Sequence, residues 1–373
     1  MELMMMEELL KYLKMVKDER QQHKVQHKIY DIIMLVFLAK LSNANEWTEF
    51  EMFGKIHESF LKKYLELPNG IPSHDTIQRV FGMISSDYLE LFQKKFNEVM
   101  NSQEGSKIKR ILGIDGKTQR GNKNRNQEKA NHIVSVVDDN GFCLGQELVD
   151  EKSNEITAIP ELLDKINIKG HIITTDAMGC QTEIVAKIKN KRADYVLALK
   201  GNQGTLHEDV KAYFADRTLL KKAEYIKTVE KARGGVETRE YWHTDDINWL
   251  SNKKAWKGLK SIAMTRNTVV KDGKTTMEKR YFISSLPVDV KEIARAIRSH
   301  WMVESYHWHL DVTFKEDDNQ TIDKQAAYNL NIISKMTLNV LKIYDTGKKM
   351  SMKLKRFAIG SNPVKYLTEI FSL

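Results

Sequence analysis

At Arg110 the spacing of apolar residues changes from helical to strand-like, and the order of elements that follows narrows the fold more than anything else in the chain. Ile111, Leu112 and Ile114 read as a short buried strand that gives out at Asp115. Residues 133–137 form a second strand, Asp139-Asn140-Gly141 a hairpin turn, and residues 142–149 a third strand. Helical spacing returns at Ile156, Ile159, Leu162, Leu163 and Ile166, and residues 171–175 are a fourth strand closed by Asp176. A helix through Ile184, Val185 and Ile188, a fifth strand over 195–199 and a further helix complete the series β-β-β-α-β-α-β-α. Three meandering strands followed by βα units predict an α/β fold, a mixed sheet flanked by helices. In that topology the first and fourth strands can lie side by side, which would bring Asp115 and Asp176 together.

The flanks read differently. Residues 1–104 are helical in pattern and are expected to form an amino-terminal helical domain, with 105–373 as the α/β domain. Ile32, Ile33, Leu35, Val36, Leu38 and Ala39 give a helix apolar almost all round, suited to the centre of a bundle. After the break at LPNGIPSHDT, Ser73 is placed to cap a helix through Ile77, Val80, Phe81 and Ile84. His74, Gln78 and Arg79 on it could enter a DNA groove, but without a full helix-turn-helix pattern a plain bundle helix is the simpler expectation. Residues 217–287 contain a Gly-Gly and an Asp-Gly hairpin and predict a basic, aromatic, β-rich insertion. Residues 291–314 have no Gly or Pro and predict one helix.

The charge balance of +9, from 59 Lys and Arg against 50 acidic residues, permits a polyanionic partner. The basic residues of the insertion and of the tail (Lys348, Lys349, Lys353, Lys355, Arg356) are the candidates to meet it. Cys143 and Cys180 are the only cysteines, in no zinc spacing, which predicts a reducing compartment without disulfides. The acidic, helix-prone start does not read as a secretory signal, and the apolar run over 32–39 is far shorter than the roughly 20 residues of a membrane span. A cytoplasmic protein, associated with the nucleoid, is expected.

Chemistry is concentrated in carboxylates. Asp-Gly is a strong turn dipeptide, so Asp115 alone would fit a simple turn; a second Asp closing a neighbouring strand changes that. Glu304 shares a helix face with Ile297, His300, Trp301, His307, Trp308 and Asp311, and is expected to be held there and partly desolvated. Two Asp and a Glu fit a site for two hard divalent ions about 3.5–4 Å apart, which favour oxygen ligands and drive phosphoryl transfer. A zinc site on His300, Glu304 and His307 is disfavoured because the HExxH order is absent. Asp311 lies about 10.5 Å along the helix axis from Glu304, too far to share its ion. Glu316, in the KEDD run, reads as a solvated helix end.

These residues sit in motifs that resemble one family. IDGKTQRG, NEITAIPELL, TTDAMGCQ, LALKGNQGTLHEDV, RGGVETREYW and HWMVESYHWHLDVTFKED, with YDIIMLVFLAKLSNANEWTEF before them, are similar to the H-repeat-associated (ISAs-type) insertion-sequence transposases. The resemblance runs from the amino-terminal helices to the end of the chain. It implies a ribonuclease H-like DDE domain using Mg²⁺, with Mn²⁺ as a substitute. Its partners would be double-stranded DNA, both terminal inverted repeats and target, bound by a homodimer. By motif, Asp115, Asp176 and Glu304 would be the catalytic, metal-binding acids. Ile297, His300 and Asp311 stand where many DDE relatives carry Tyr, Arg and Lys, as in the H-repeat-associated group itself. Lys117 and Arg120 could contact phosphate, as could Arg233, Arg239, Arg298 and His300, with Trp242 available to stack on a base or to fill the insertion's core. Asn202 and Gln203 could line the site or cap a helix.

Overall fold

The computed structural model describes residues 4–101, 109–123, 129–150, 153–232 and 234–372. Among the described residues six α-helices precede the sheet: α1 (Met4–Leu13), α2 (Ile29–Leu41), α3 (Trp47–Ile56), α4 (Glu58–Leu61), α5 (His74–Met83) and α6 (Ser86–Asn101). With no polar face to offer water, α2 is surrounded, and every residue from 32 to 41 is buried. Asp31 at its start accepts hydrogen bonds from the backbone N–H groups of Glu66 (3.2 Å) and Leu67 (3.0 Å), which ties the following loop to the helix. Ser73 caps α5 as its sequence predicts, accepting from the Thr76 N–H at 3.3 Å. Ile77, Val80 and Phe81 of α5 are buried, and the helix packs on the long helix α13 described below; His74 is held by Glu51 at 2.6 Å.

Among the described residues the sheet has nine strands: β1 (Ile111–Thr118), β2 (His132–Asp138), β3 (Cys143–Leu148), β4 (Ile172–Thr175), β5 (Asp194–Leu199), β6 (Glu224–Ala232), β7 (Gly235–Thr244), β8 (Ser261–Lys271) and β9 (Lys274–Ser284). Their spatial order is β3-β2-β1-β4-β5-β9-β8-β7-β6. β1 runs parallel to β4 and β4 to β5; the other pairs are antiparallel. The β-rich insertion therefore extends the main sheet: β9 pairs with β5, Leu197 opposite Ile283, and so covers an edge that would otherwise be open.

Between strands run α7 (Glu155–Lys165), α8 (Thr182–Asn190), α9 (Gly204–Ala215) and α10 (Arg217–Leu220). After the sheet come α11 (Val290–Ser299), α12 (Trp301–Val312), α13 (Lys324–Ile343), α14 (Met352–Ser361) and α15 (Pro363–Ser372). Strand alternation sends Val134 and Val136 of β2 to one face, with α7, α8 and α9. Ile133 and Val137 face the other, into a core shared by α2, α5, α6, α12 and α13. Each large apolar side chain so buried contributes roughly 1.5–3 kcal/mol. The amino-terminal helices and the carboxy-terminal ones thus occupy one hydrophobic core on one side of the sheet.

Two tail residues expected among the basic surface lie inside that core. Arg356 is fully buried, donating to the carbonyls of Lys40, Ala44 and Thr313 and to Asn45 Oδ1. Lys355 donates to Leu341 O and Tyr344 O at 2.7 and 2.5 Å. Their charge closes helix ends instead of facing a partner.

The single helix expected over 291–314 is two helices that break at His300. Val290, Ile293 and Ala296 of α11 are buried with Ile111, Ile172 and Val196, whereas Val303, Tyr306 and Leu310 of α12 enter the larger core with the amino-terminal helices. The two segments thus bury against different apolar surfaces.

Candidate active site

The parallel register between β1 and β4 ends at Ile114 opposite Thr175. Asp115 and Asp176 are the next residue on each strand, so two adjacent parallel strands deliver the two carboxylates side by side. Asp115 does not end its own strand: β1 continues through Gly116, Lys117 and Thr118, which pair with Val134, Ile133 and His132 of β2. The Asp-Gly turn is thereby excluded. What stops at Asp115 is only the shorter neighbour β4, and beyond it the chain turns so that Asp176 Oδ1 accepts from the N–H groups of Met178 (2.9 Å) and Gly179 (3.3 Å).

α12 lies over β1. A Cβ on Gly113 would stand 3.3 Å from Val303 Cγ1 and 3.6 Å from His300 Nδ1, so the absent side chain sets how closely the helix approaches. His307 Nδ1 is 3.4 Å from Asp115 Oδ2, and His300 Nδ1 is 3.1 Å from Thr174 Oγ1. Glu304 sits between these histidines in sequence, on the turn of α12 that faces Asp115. The expected aromatic shelter is absent: Trp301 is 44% and Trp308 55% exposed, and Glu304 itself is exposed. Arg280 stacks over Trp301 at 5.6 Å.

The electrostatics link these groups. Burial raises the Asp176 carboxyl above the usual range, and the charges of Glu155 and Asp115 add to that against the two backbone N–H groups. Partial burial and Asp115 likewise raise Glu304, opposed by Arg280 and His307. Burial pushes the His300 imidazole down, while Asp115 and Asp176 pull it up. Asp115 therefore lies within electrostatic range of both Asp176 and Glu304.

Residues 106–340 match the model of the transposase DDE domain, and residues 10–97 that of the DDE transposase-associated domain. The chain belongs to the DDE transposases. It is 42% identical to "Putative transposase YncI" of Escherichia coli O157:H7 over 96% of this chain and 93% of that protein. It is 38% identical to "H repeat-associated putative transposase YhhI" of Escherichia coli K12 over 99% of both. A shorter K12 relative, "Inactive transposase YbfQ", is 44% identical over 21% of this chain and 92% of its own length. The mixed sheet, with helices on both faces, is the ribonuclease H-like fold of such domains.

Transposases of this kind imply a divalent cation. Among the described residues no three His, Cys, Asp or Glu side chains already converge tightly enough to grip one ion. The donor set nevertheless fits a hard cation: every candidate atom is a carboxylate oxygen, and a divalent charge would offset the burial and the Asp115 charge that raise Asp176 and Glu304.

Elsewhere the transposase spends its charges on itself. Lys117 is only 11% exposed and meets Asp311 (2.7 Å), Glu316 (2.9 Å) and Asp317 (3.1 Å). Burial opposes its charge, yet Glu316 and Asp311 hold the ammonium above its usual range. Glu316, expected at a solvated end, is 8% exposed and bound also by Gln119 and Asn331, because the loop after α12 folds back under β1. Burial works against the Glu316 carboxylate, but Lys117 keeps it below its usual range. Arg239 pairs with Glu230 and Glu237. Trp242 is buried at 6%, against Tyr225 and under Arg266 at 5.1 Å. Arg120 is 83% exposed beside Asp317, Arg298 is exposed, and Arg233 lies outside the described residues. Asn202 Nδ2 donates to Ala177 O and Gln203 Nε2 to Cys180 O, which pins the turn after Asp176. Sequence reasoning missed His132, Glu155 and Arg280; only the NEITAIPELL motif carried a trace of Glu155, without a role.

Proposed function

We propose that this transposase cuts DNA at the ends of an insertion sequence and joins the freed 3′ ends to target DNA, with Asp115, Asp176 and Glu304 as its catalytic acids. The observation that carries the proposal is the delivery of Asp115 and Asp176 side by side by parallel strands, with Glu304 facing Asp115 from α12. When bound, Mg²⁺ would supply an activated oxygen nucleophile and charge neutralisation at the scissile phosphate. The chain's own work is positional: the strands fix two carboxylates, Gly113 admits the helix, and His307 orients Asp115.

A cleft of about 370 Å³ beside this centre is lined by Arg239, Arg266, Arg280, Arg298, Tyr241 and Trp301 together with Glu230, Glu237 and Glu278, which pair with Arg239 and Arg280. It joins the insertion strands to the helix pair bearing Glu304 and is the proposed path of a DNA strand, with Arg298 and Arg120 the exposed phosphate contacts. A homodimer on paired ends completes the proposal.

The test is incubation with DNA from the flanks of its own gene, scoring nicks and joined products separately. Both are expected with Mg²⁺ or Mn²⁺; Ca²⁺, with looser coordination, is expected to support binding alone. Nicks without joining would leave a nuclease, and end binding without nicks a DNA-holding relic. End binding is expected to weaken with salt at a log–log slope of roughly −0.9 per neutralised phosphate, and a flat response would remove DNA as the partner.

A further inference from the structure

We propose that Glu155 is a fourth acid of the catalytic centre, held in place by His132; this rests on the metal-dependent reading above. Glu155 is the first residue of α7, whose start is fixed by Asn154 accepting from the Ile156 N–H at 3.0 Å. Its side chain is 12% exposed and meets His132 Nε2 at 2.7 Å. The other ring nitrogen of His132 is 2.8 Å from Thr118 Oγ1, so the imidazole is clamped between β1 and α7 and sets the direction of the carboxylate.

That direction is toward the catalytic strand. A Cβ on Gly116, the residue after Asp115, would collide with Glu155 Oε1 and stand 2.6 Å from both Glu155 Cδ and His132 Nε2. Glycine at 116 is therefore the condition for bringing Glu155 onto the backbone beside Asp115. On its other side Glu155 is among the charges that act on Asp176. The pair also lines a cleft of about 500 Å³ with Asn131, Asn154, Met178 and Lys324, and Met178 belongs to the turn that carries Asp176. A glutamate serving only to pair with a surface histidine has no need of this placement. One that reaches β1 at Gly116 from the α7 side, next to Asp115 in the chain and within electrostatic range of Asp176, adds negative charge where a cation is to be held.

The test uses the full chain and Mn²⁺ alone, with bound ion read by electron paramagnetic resonance and without DNA or turnover. Glu155→Gln keeps the shape and a hydrogen bond to His132 but removes the charge, and is expected to weaken Mn²⁺ binding about 10-fold or more. His132→Gln leaves the carboxylate but frees it, and is expected to weaken binding less. Asp176→Asn, measured alongside, is expected to weaken it at least as much as Glu155→Gln. Should Glu155→Gln fail to fold by circular dichroism, His132→Gln carries the test. Wild-type affinity in the Glu155 and His132 variants, with loss in Asp176→Asn, overturns this proposal alone and leaves Glu155 a structural partner. Wild-type affinity in Asp176→Asn overturns the metal centre, and Glu155 with it.

Discussion

Asp115 and Lys117 stand two residues apart on β1, on the same face of the strand and about 7 Å from each other, under the same helix. Around Asp115 gather Asp176 and Glu304, carboxylates raised first by burial and then by the charge of Asp115. Around Lys117 gather Asp311, Glu316 and Asp317, carboxylates already neutralised by a buried ammonium. One group is incomplete and the other is closed. An acid with an internal cation is a structural tie, whereas acids left in excess are a site waiting for charge. This difference is why Glu304, and not Asp311 or Glu316, is proposed as the third catalytic acid.

The comparison breaks most easily at the proposed catalytic acids. Asp115→Asn and Glu304→Gln are each expected to lower nicking and joining by ~10²–10³-fold or more, while end binding by gel shift survives. Asp311→Asn and Glu316→Gln, where they fold, are expected to retain measurable cleavage. Normal cutting by Glu304→Gln beside a dead Asp311→Asn would move the third acid one level down the helix.

The closed cluster is expected to fail in folding, not in chemistry. Lys117→Met leaves Glu316 and Asp311 without their cation and is expected to cost about 3–5 kcal/mol, the usual penalty for stranding a buried charge. Denaturant unfolding measures it. A change below ~1 kcal/mol would place the pair with surface ion pairs.

The smallest effect has the opposite sign. Asp176 is raised in the folded state, chiefly by burial, so its ionisation weakens the fold at neutral pH, and that loss is recovered as pH falls through its folded pKa. Asp176→Asn is therefore expected to melt a few degrees higher than wild type at pH 7, with the gap closing as the pH falls into the carboxylate range. An unchanged or lower melting temperature at pH 7 would mean that Asp176 is already compensated.

Periodicity along the chain made the strand series legible, and with it the adjacency of β1 and β4. Alternation and turn dipeptides are local signals, and the parallel pairing that unites Asp115 with Asp176 follows from their order. The apolar run of α2 and the Ser73 cap were legible for the same reason. Less so were contacts across distance. Nothing near Lys117 reveals that a loop two hundred residues later folds beneath it, and KEDD looks solvated until that loop closes. A tail rich in Lys and Arg looks like surface until Arg356 is found capping carbonyls inside the core.

By itself, then, the sequence determined the order of strands and helices, the positions of three acids, and the family in which that order recurs, because those depend on neighbours within a few residues. Only the tertiary structure decided the bend at His300, the union of insertion and sheet, the neutralised state of Asp311 and Glu316, and the approach of Glu155 to Gly116. Each of these depends on which distant surface a residue is pressed against. A side chain's charge is written in the chain, but whether a partner meets it is settled only when the chain has closed on itself.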